Sequence, residues 1–147
     1  MSDLMKGKRG LIMGVANEKS IAWGIAREMA AQGAELAFTY QGEAFGKRVQ
    51  PLAASVGSNI LVDADVTDDN SLDTAFSELK EKWGKLDFIV HAVAYSDKNE
   101  LVGRFVDTTR ANFKNSLDIS CYSLIEVSRR ASELMPEGGT ILTLTYQ

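Results

Sequence analysis

"GVANEKSIAWG", residues 14–24, follows the apolar run "RGLIM" at 9–13 and opens a segment with helical spacing. A strand that runs through a glycine loop into a helix N-terminus is an anion site, because free backbone N–H groups and the positive end of the helix dipole face whatever sits there. The standard dinucleotide loop carries three glycines: one for the turn, one to admit the pyrophosphate and one for close helix–strand packing. Here Gly14 supplies the turn. Ser20 starts the helix as a cap whose hydroxyl can also reach a phosphate oxygen, and Ala22 and Gly24 are small enough for close packing. The pattern is G-x5-S-x-A, a dinucleotide loop with an inserted bulge. The plainer reading, a turn glycine and an ordinary N-cap, stays open on the loop alone.

Outward from this loop, β-rich runs alternate with segments of helical period. "RGLIMG" (9–14) precedes a helix over 20–32, "ELAFTY" (35–40) one over 43–56, and "NILVDADV" (59–66) one over 69–83. "LDFIVHAV" (86–93) precedes a single long helix from about 106 to 135, and "GTILTLTY" (139–146) closes the series. Five strands and four helices in βα order predict right-handed crossovers and a parallel sheet. The nearly all-apolar first strands predict helices on both faces. The expected fold is therefore α/β, a Rossmann-type doubly wound parallel sheet, with residues 1–147 as one dinucleotide-binding domain cut short after the fifth strand. Gly33, Gly57, Gly84 and the pair Gly138–Gly139 fall where left-handed helix caps are wanted.

The bulk properties narrow the function classes. A chain of 147 residues with 45% hydrophobic content supports one core. A net charge of −4 disfavours nucleic-acid partners. The lone Cys121 can form no internal disulfide, the start lacks an apolar signal segment, and no apolar run approaches the roughly 20 residues that span a bilayer. No membrane association and a cytoplasmic location are the resulting expectations. No Cys/His cluster has metal-ligand spacing, so no metal is expected.

Five motifs at strand ends carry a family resemblance: the G-x5-S-x-A loop, "AELAFTYQ" (34–41), "DADV" (63–66), "HAVAY" (91–95) and "LTLTY" (142–146). Together they resemble the enoyl-acyl-carrier-protein reductases of bacterial fatty-acid synthesis, a divergent branch of the short-chain dehydrogenase/reductases. The resemblance runs the length of the chain. It implies NADH as cofactor, an enoyl-acyl carrier protein as substrate and a homo-oligomer, typically a tetramer.

Residue roles follow motif by motif. Gln41 ends strand two, where dinucleotide domains meet the adenine ribose and many NAD-selective ones place a carboxylate; an amide with no Arg or Lys before Lys47 favours NADH over NADPH. Asp65 and Val66 are placed at the adenine by the resemblance, as acceptor and apolar cover, although Asp65 alone could equally be a cap. Asp63 and Asp68 read as surface charge and a helix cap. Val93, at the tip of strand four, is expected to touch the cofactor, as is Ile21 beside Ser20, and Ser96 to lie at the substrate pocket or simply on an exposed loop. His91, the single histidine, reads as a buried structural residue. Asp118 and Tyr122 share a helical face, Cys121 reads as a packed thiol, and Trp23 and Trp83 as packing residues.

By family chemistry the cofactor delivers hydride to the β-carbon of a 2-enoyl thioester, and a hydrogen-bond donor stabilises the resulting enolate. Tyr146 matches the first of the family's two active-site tyrosines. The principal tyrosine and its lysine, in a Tyr-x6-Lys arrangement, are expected about ten and seventeen positions later, so residues 1–147 hold mainly the cofactor half and are expected to be inactive alone. Two alternatives stand: a carbonyl-reducing short-chain dehydrogenase, against which "HAVA" and the divergent glycine loop argue, and a non-catalytic nucleotide-binding module.

Overall fold

The computed structural model describes residues 3–146; Gln147, the last residue of the expected domain, lies outside them. Five strands, β1 (Arg9–Met13), β2 (Glu35–Tyr40), β3 (Ile60–Asp63), β4 (Phe88–His91) and β5 (Thr140–Thr143), pair in parallel in the order β3-β2-β1-β4-β5. Between them lie α1 (Ile21–Ala31), α2 (Glu43–Ser55), α3 (Asp69–Trp83), α4 (Arg110–Leu117) and α5 (Ser123–Glu133). The strand order reverses between β1 and β4, which makes a crevice at their C-terminal ends.

Alternation along each strand sorts the core into two layers. Leu11, Met13, Ala37 and Ile89 point to one face, where Leu72, Ala75, Phe76 and Leu79 of α3 and Val127 and Ala131 of α5 cover them. Ile12, Leu36, Phe38, Phe88 and Val90 point to the other, covered by Ala22, Trp23 and Ala26 of α1 and Val49 and Ala53 of α2. The sheet is doubly wound, as expected. Trp23 packs against Phe38 with ring centroids 6.2 Å apart, and Trp83 packs against the α3 layer. Arg130 fastens α5 to α3: its guanidinium donates to Asp73 and Glu126 at 2.7 Å each and to the Asp69 carbonyl at 3.3 Å.

Several expectations need correction. The helix expected over 106–135 is broken: single 3-10 turns at Lys98–Glu100 and Phe105–Asp107 precede α4, and a π turn at Asp118–Tyr122 separates α4 from α5. A π turn inserts an extra residue while the chain stays helical, so the helical composition on either side reads as one segment in the sequence. It also takes Asp118 and Tyr122 off an α-helical face, and Tyr122 donates instead to Glu126 at 2.8 Å. Cys121 is exposed there, not packed. Gly24 lies on the solvent face of α1 with no neighbour within 4 Å of a Cβ placed on it, so the close packing falls to Ala22 and Ala26. Gly33, Gly57, Gly84 and Gly138 take positive φ, whereas Gly139 does not and is small because Met135 and Asp87 crowd it. The strands β3, β4 and β5 are shorter than expected, which leaves Asp65, Val66, Val93 and Tyr146 in the loops just past their ends. β5 is one of the two edge strands, and all four of its residues are exposed.

Candidate functional site

A cavity of about 430 Å³ opens at the C-terminal ends of β1, β2, β3 and β4. Its lining includes Gly14, Gln41, Asp65, Val66 and Val93, five of the residues singled out from sequence, together with Ala16, Phe45, Tyr95 and Ile119. Its size falls in the range of small-molecule sites, and its place is the crevice where open α/β sheets bind ligands.

Gly14 shapes the floor. Its φ is +100°, and a Cβ there would stand 1.9 Å from the Ala92 carbonyl oxygen, so only glycine permits both the turn and the close approach of the β1 and β4 ends. The bulge that follows is closed by Ser20. Its Oγ accepts from the backbone N–H groups of Ala16 at 3.0 Å and Asn17 at 3.2 Å, while making no side-chain bond into α1. That corrects the expected capping role: Ser20 holds the N-cap position, but its hydroxyl is turned back to cap the loop. Ile21, 68% exposed at the start of α1, and Ser20 lie outside the cavity lining.

On the β2–β3 rim, Asp65 Oδ1 accepts from the Thr67 N–H at 2.9 Å and hydroxyl at 2.7 Å. The Thr67 hydroxyl, with the Thr67 backbone and the Gln41 side chain, holds the Asp65 carboxyl below the usual range against the opposing effect of burial. Asp65 therefore stands ionised at the cavity wall beside the Gln41 amide and the apolar Val66. Asp68, as expected, caps α3 through the N–H groups of Asn70 and Ser71. Asp63 is more than surface charge: it accepts from the Gly42 N–H at 3.1 Å.

The β4 rim is built differently. His91 is 1% exposed, with Nδ1 3.0 Å from the Thr143 hydroxyl and Nε2 2.8 Å from the Ser123 hydroxyl. Burial lowers its pKa, so it is a neutral crosslink between β4, β5 and α5, as its position in the strand suggested. Ser123 in turn donates to the Ile119 carbonyl at 2.6 Å, inside the π turn. Ser120 accepts from the Tyr95 N–H at 3.0 Å and donates to the Tyr95 carbonyl at 3.2 Å. Sequence reasoning gave this π-turn serine no role, since a serine inside a helical period carries no signal. Ser96 is drawn away from the cavity toward α4, its Oγ 3.2 Å from both Asn112 Nδ2 and Ser116 Oγ. Tyr146 is 99% exposed beyond β5 and is outside the cavity lining. Tyr40 and Lys47 also stand seven residues apart, the spacing of the family's tyrosine–lysine pair. They do not form one: Tyr40 lies against Gly46, and Lys47 pairs with Glu43 at 2.8 Å.

The lining suits a dinucleotide's adenosine half. It offers a carboxylate acceptor, an amide and apolar walls above a glycine turn at a helix entrance. Among the described residues there is no cluster of His, Cys, Asp or Glu arranged to hold a metal ion, and no helix long and apolar enough to cross a membrane.

Comparison with known proteins places this geometry in a family. The sequence model described as "Enoyl-(Acyl carrier protein) reductase" matches residues 14–147. The chain is 65% identical over 146 residues to "Enoyl-[acyl-carrier-protein] reductase [NADH] 2" of Rhizobium meliloti, covering 99% of itself and 54% of that relative. It superposes on the Anaplasma phagocytophilum enoyl-(acyl-carrier-protein) reductase, solved in complex with NAD, with a TM-score of 0.96 and 57% identity over 99% of this chain and 56% of that one. The Bacillus cereus enoyl-acyl carrier protein reductase, solved with NADP+ and indole naphthyridinone, gives a TM-score of 0.95 at 42% identity over 99% of this chain and 57% of that one. The chain spans about half the length of the curated relatives it matches. It belongs to the enoyl-(acyl carrier protein) reductase family.

Proposed function

We propose that the protein is an NADH-dependent enoyl-acyl-carrier-protein reductase, and that residues 1–147 form the main part of its dinucleotide-binding domain. The observation that carries the reading is the cavity at the β1/β4 strand-order switch, lined by Gly14, Gln41, Asp65, Val66 and Val93. Bound NADH would supply the hydride; this chain's residues bind and orient it. Asp65, ionised and at the wall, accepts from the adenine amine, and Val66 covers the ring. Gln41 meets the adenine ribose. The Gly14 turn, held in shape by Ser20, receives the pyrophosphate with Ile21 at the entrance to α1. Val93 and the Tyr95 loop, pinned by Ser120, carry the cavity toward the nicotinamide end. Ser96 and Tyr146 belong to the acyl end, Tyr146 at the same C-terminal edge of the sheet as the other strand ends.

The substrate is an enoyl thioester on acyl carrier protein, in the cytoplasm, and the enzyme works as a homo-oligomer. The names of the relatives support the substrate and cofactor. The test uses the protein as its gene encodes it, mixed with NADH and a crotonyl thioester of acyl carrier protein. The expected result is NADH oxidation matched by formation of the saturated thioester. Reduction of a ketone with the enoyl thioester untouched would make it a carbonyl reductase; NADH binding without turnover of either would make it a binding module.

A further inference from the structure

We propose that Asp63 selects NADH over NADPH, by holding the turn after β2 and by placing a carboxylate where a 2′-phosphate would have to be received. The inference rests on the dinucleotide reading above and adds a residue to it. The two relatives described above were solved with NAD and NADP+ respectively on one fold, so the fold itself admits either cofactor.

Parallel pairing sets Tyr40 opposite Asp63, which brings the carboxylate under the Gln41–Gly42 turn. Gly42 has φ +77° and leads into α2, a helix of 13 residues without a side-chain cap. Such an N-terminus, next to the ribose-facing end of β2, is where backbone donors and the helix dipole welcome phosphate. Here that welcome is taken. The Gly42 N–H already donates to Asp63 Oδ1 at 3.1 Å, and Glu43 adds a second carboxylate in the first turn. Lys47, the first cation after β2, is engaged with Glu43 at 2.8 Å. Arg48 stacks over the Phe45 ring, 5.7 Å from its centroid. A 2′-phosphate would thus meet two carboxylates and a donor already in use, with Lys47 paired to Glu43 and Arg48 held over the Phe45 ring. The ribose hydroxyl of NADH, being neutral, meets none of these penalties.

The experiment is calorimetric titration of NADH and NADPH into the gene-encoded protein and its Asp63→Asn variant, which keeps an oxygen for the Gly42 N–H and removes only the charge. The expected result is a wild-type preference for NADH that narrows by about tenfold in Asp63→Asn, with NADH affinity changed less than about twofold. An unchanged NADH/NADPH affinity ratio while NADH still binds would overturn the role of Asp63 and leave the dinucleotide reading standing; binding of neither cofactor by the wild type would overturn both. If Asp63→Asn does not fold, the wild-type ratio is measured against salt. Charge repulsion predicts that added salt narrows it, and a salt-independent ratio overturns the proposal.

Discussion

The two rims of the cavity are made by different means. The β2–β3 rim presents Gln41, Asp65 and Val66 from the short turns after their own strands: the Asp65 carboxylate accepts from Thr67 two residues on, and Asp63 accepts from the Gly42 N–H at the end of the adjacent, directly paired strand. The β4 rim is held from afar: the Tyr95 loop is pinned by Ser120, 25 residues on, and His91 is tied to Ser123 and to Thr143, 52 residues on. The near rim puts its polar and apolar side chains directly at the cavity wall. The far rim is a tertiary clamp, and it can be loosened without touching Asp65 and Val66, the proposed adenine contacts.

The largest expected effect lies at the floor the rims share. Gly14→Val forces a side chain into the Ala92 carbonyl at a φ that valine rejects. It should cost about 3 kcal/mol of stability in urea denaturation and abolish NADH binding. A variant that folds and binds normally would mean that the β1 and β4 ends are not in contact.

Next comes the far clamp. His91→Leu removes the ring nitrogens that tie the Ser123 and Thr143 hydroxyls together, with Ser123 keeping only its bond to the Ile119 carbonyl, and should cost about 2 kcal/mol in the same assay. The wild type should also show a pH signature. Because burial lowers the His91 pKa from its ordinary 6.5, the unfolded chain takes up a proton before the folded one. Stability is therefore undiminished above 6.5 and falls as the pH drops from there through the lower folded value, a fall that the leucine variant should lack. Melting temperatures measured across that window check the sign; a rise in stability on acidification would contradict a neutral buried crosslink.

A smaller effect is expected at Ser120→Ala. Loss of the two-point hold on Tyr95 should cost about 1 kcal/mol and raise amide hydrogen exchange in residues 94–97. AMP affinity, read on the near rim, should stay the same. Equal weakening of AMP would show that the two rims are not separable.

The contrast between the rims also explains what could be read from sequence. The βα order and the nearly all-apolar first strands made the doubly wound sheet legible, since consecutive apolar residues such as Leu11, Ile12 and Met13 need cover on both faces. Gly14, Gln41 and Val93 could be singled out because the C-terminal strand ends of an α/β fold form its crevice, and Asp65 and Val66 through the family resemblance; all five line the cavity. The far clamp was not legible. Ser120 and Ser123 look like ordinary helix residues until a π turn rotates them toward β4, and their partners lie too far along the chain for any local pattern to show. The Ser20 hydroxyl was misread for a related reason: an N-cap position is visible in sequence, but the bulged loop competing for that hydroxyl is not.

The account's central claim is that the dinucleotide lies across both rims at the β1/β4 switch, and hydrogen–deuterium exchange of the gene-encoded protein with and without NADH tests it most directly. Within this chain, the account predicts protection in residues 13–17, 40–42, 64–67 and 92–95, and none in residues 73–80 or 129–134, the α3–α5 surface on the far side of the Arg130 network. Protection confined to that surface, or unchanged exchange at all four strand ends under saturating NADH, would contradict it.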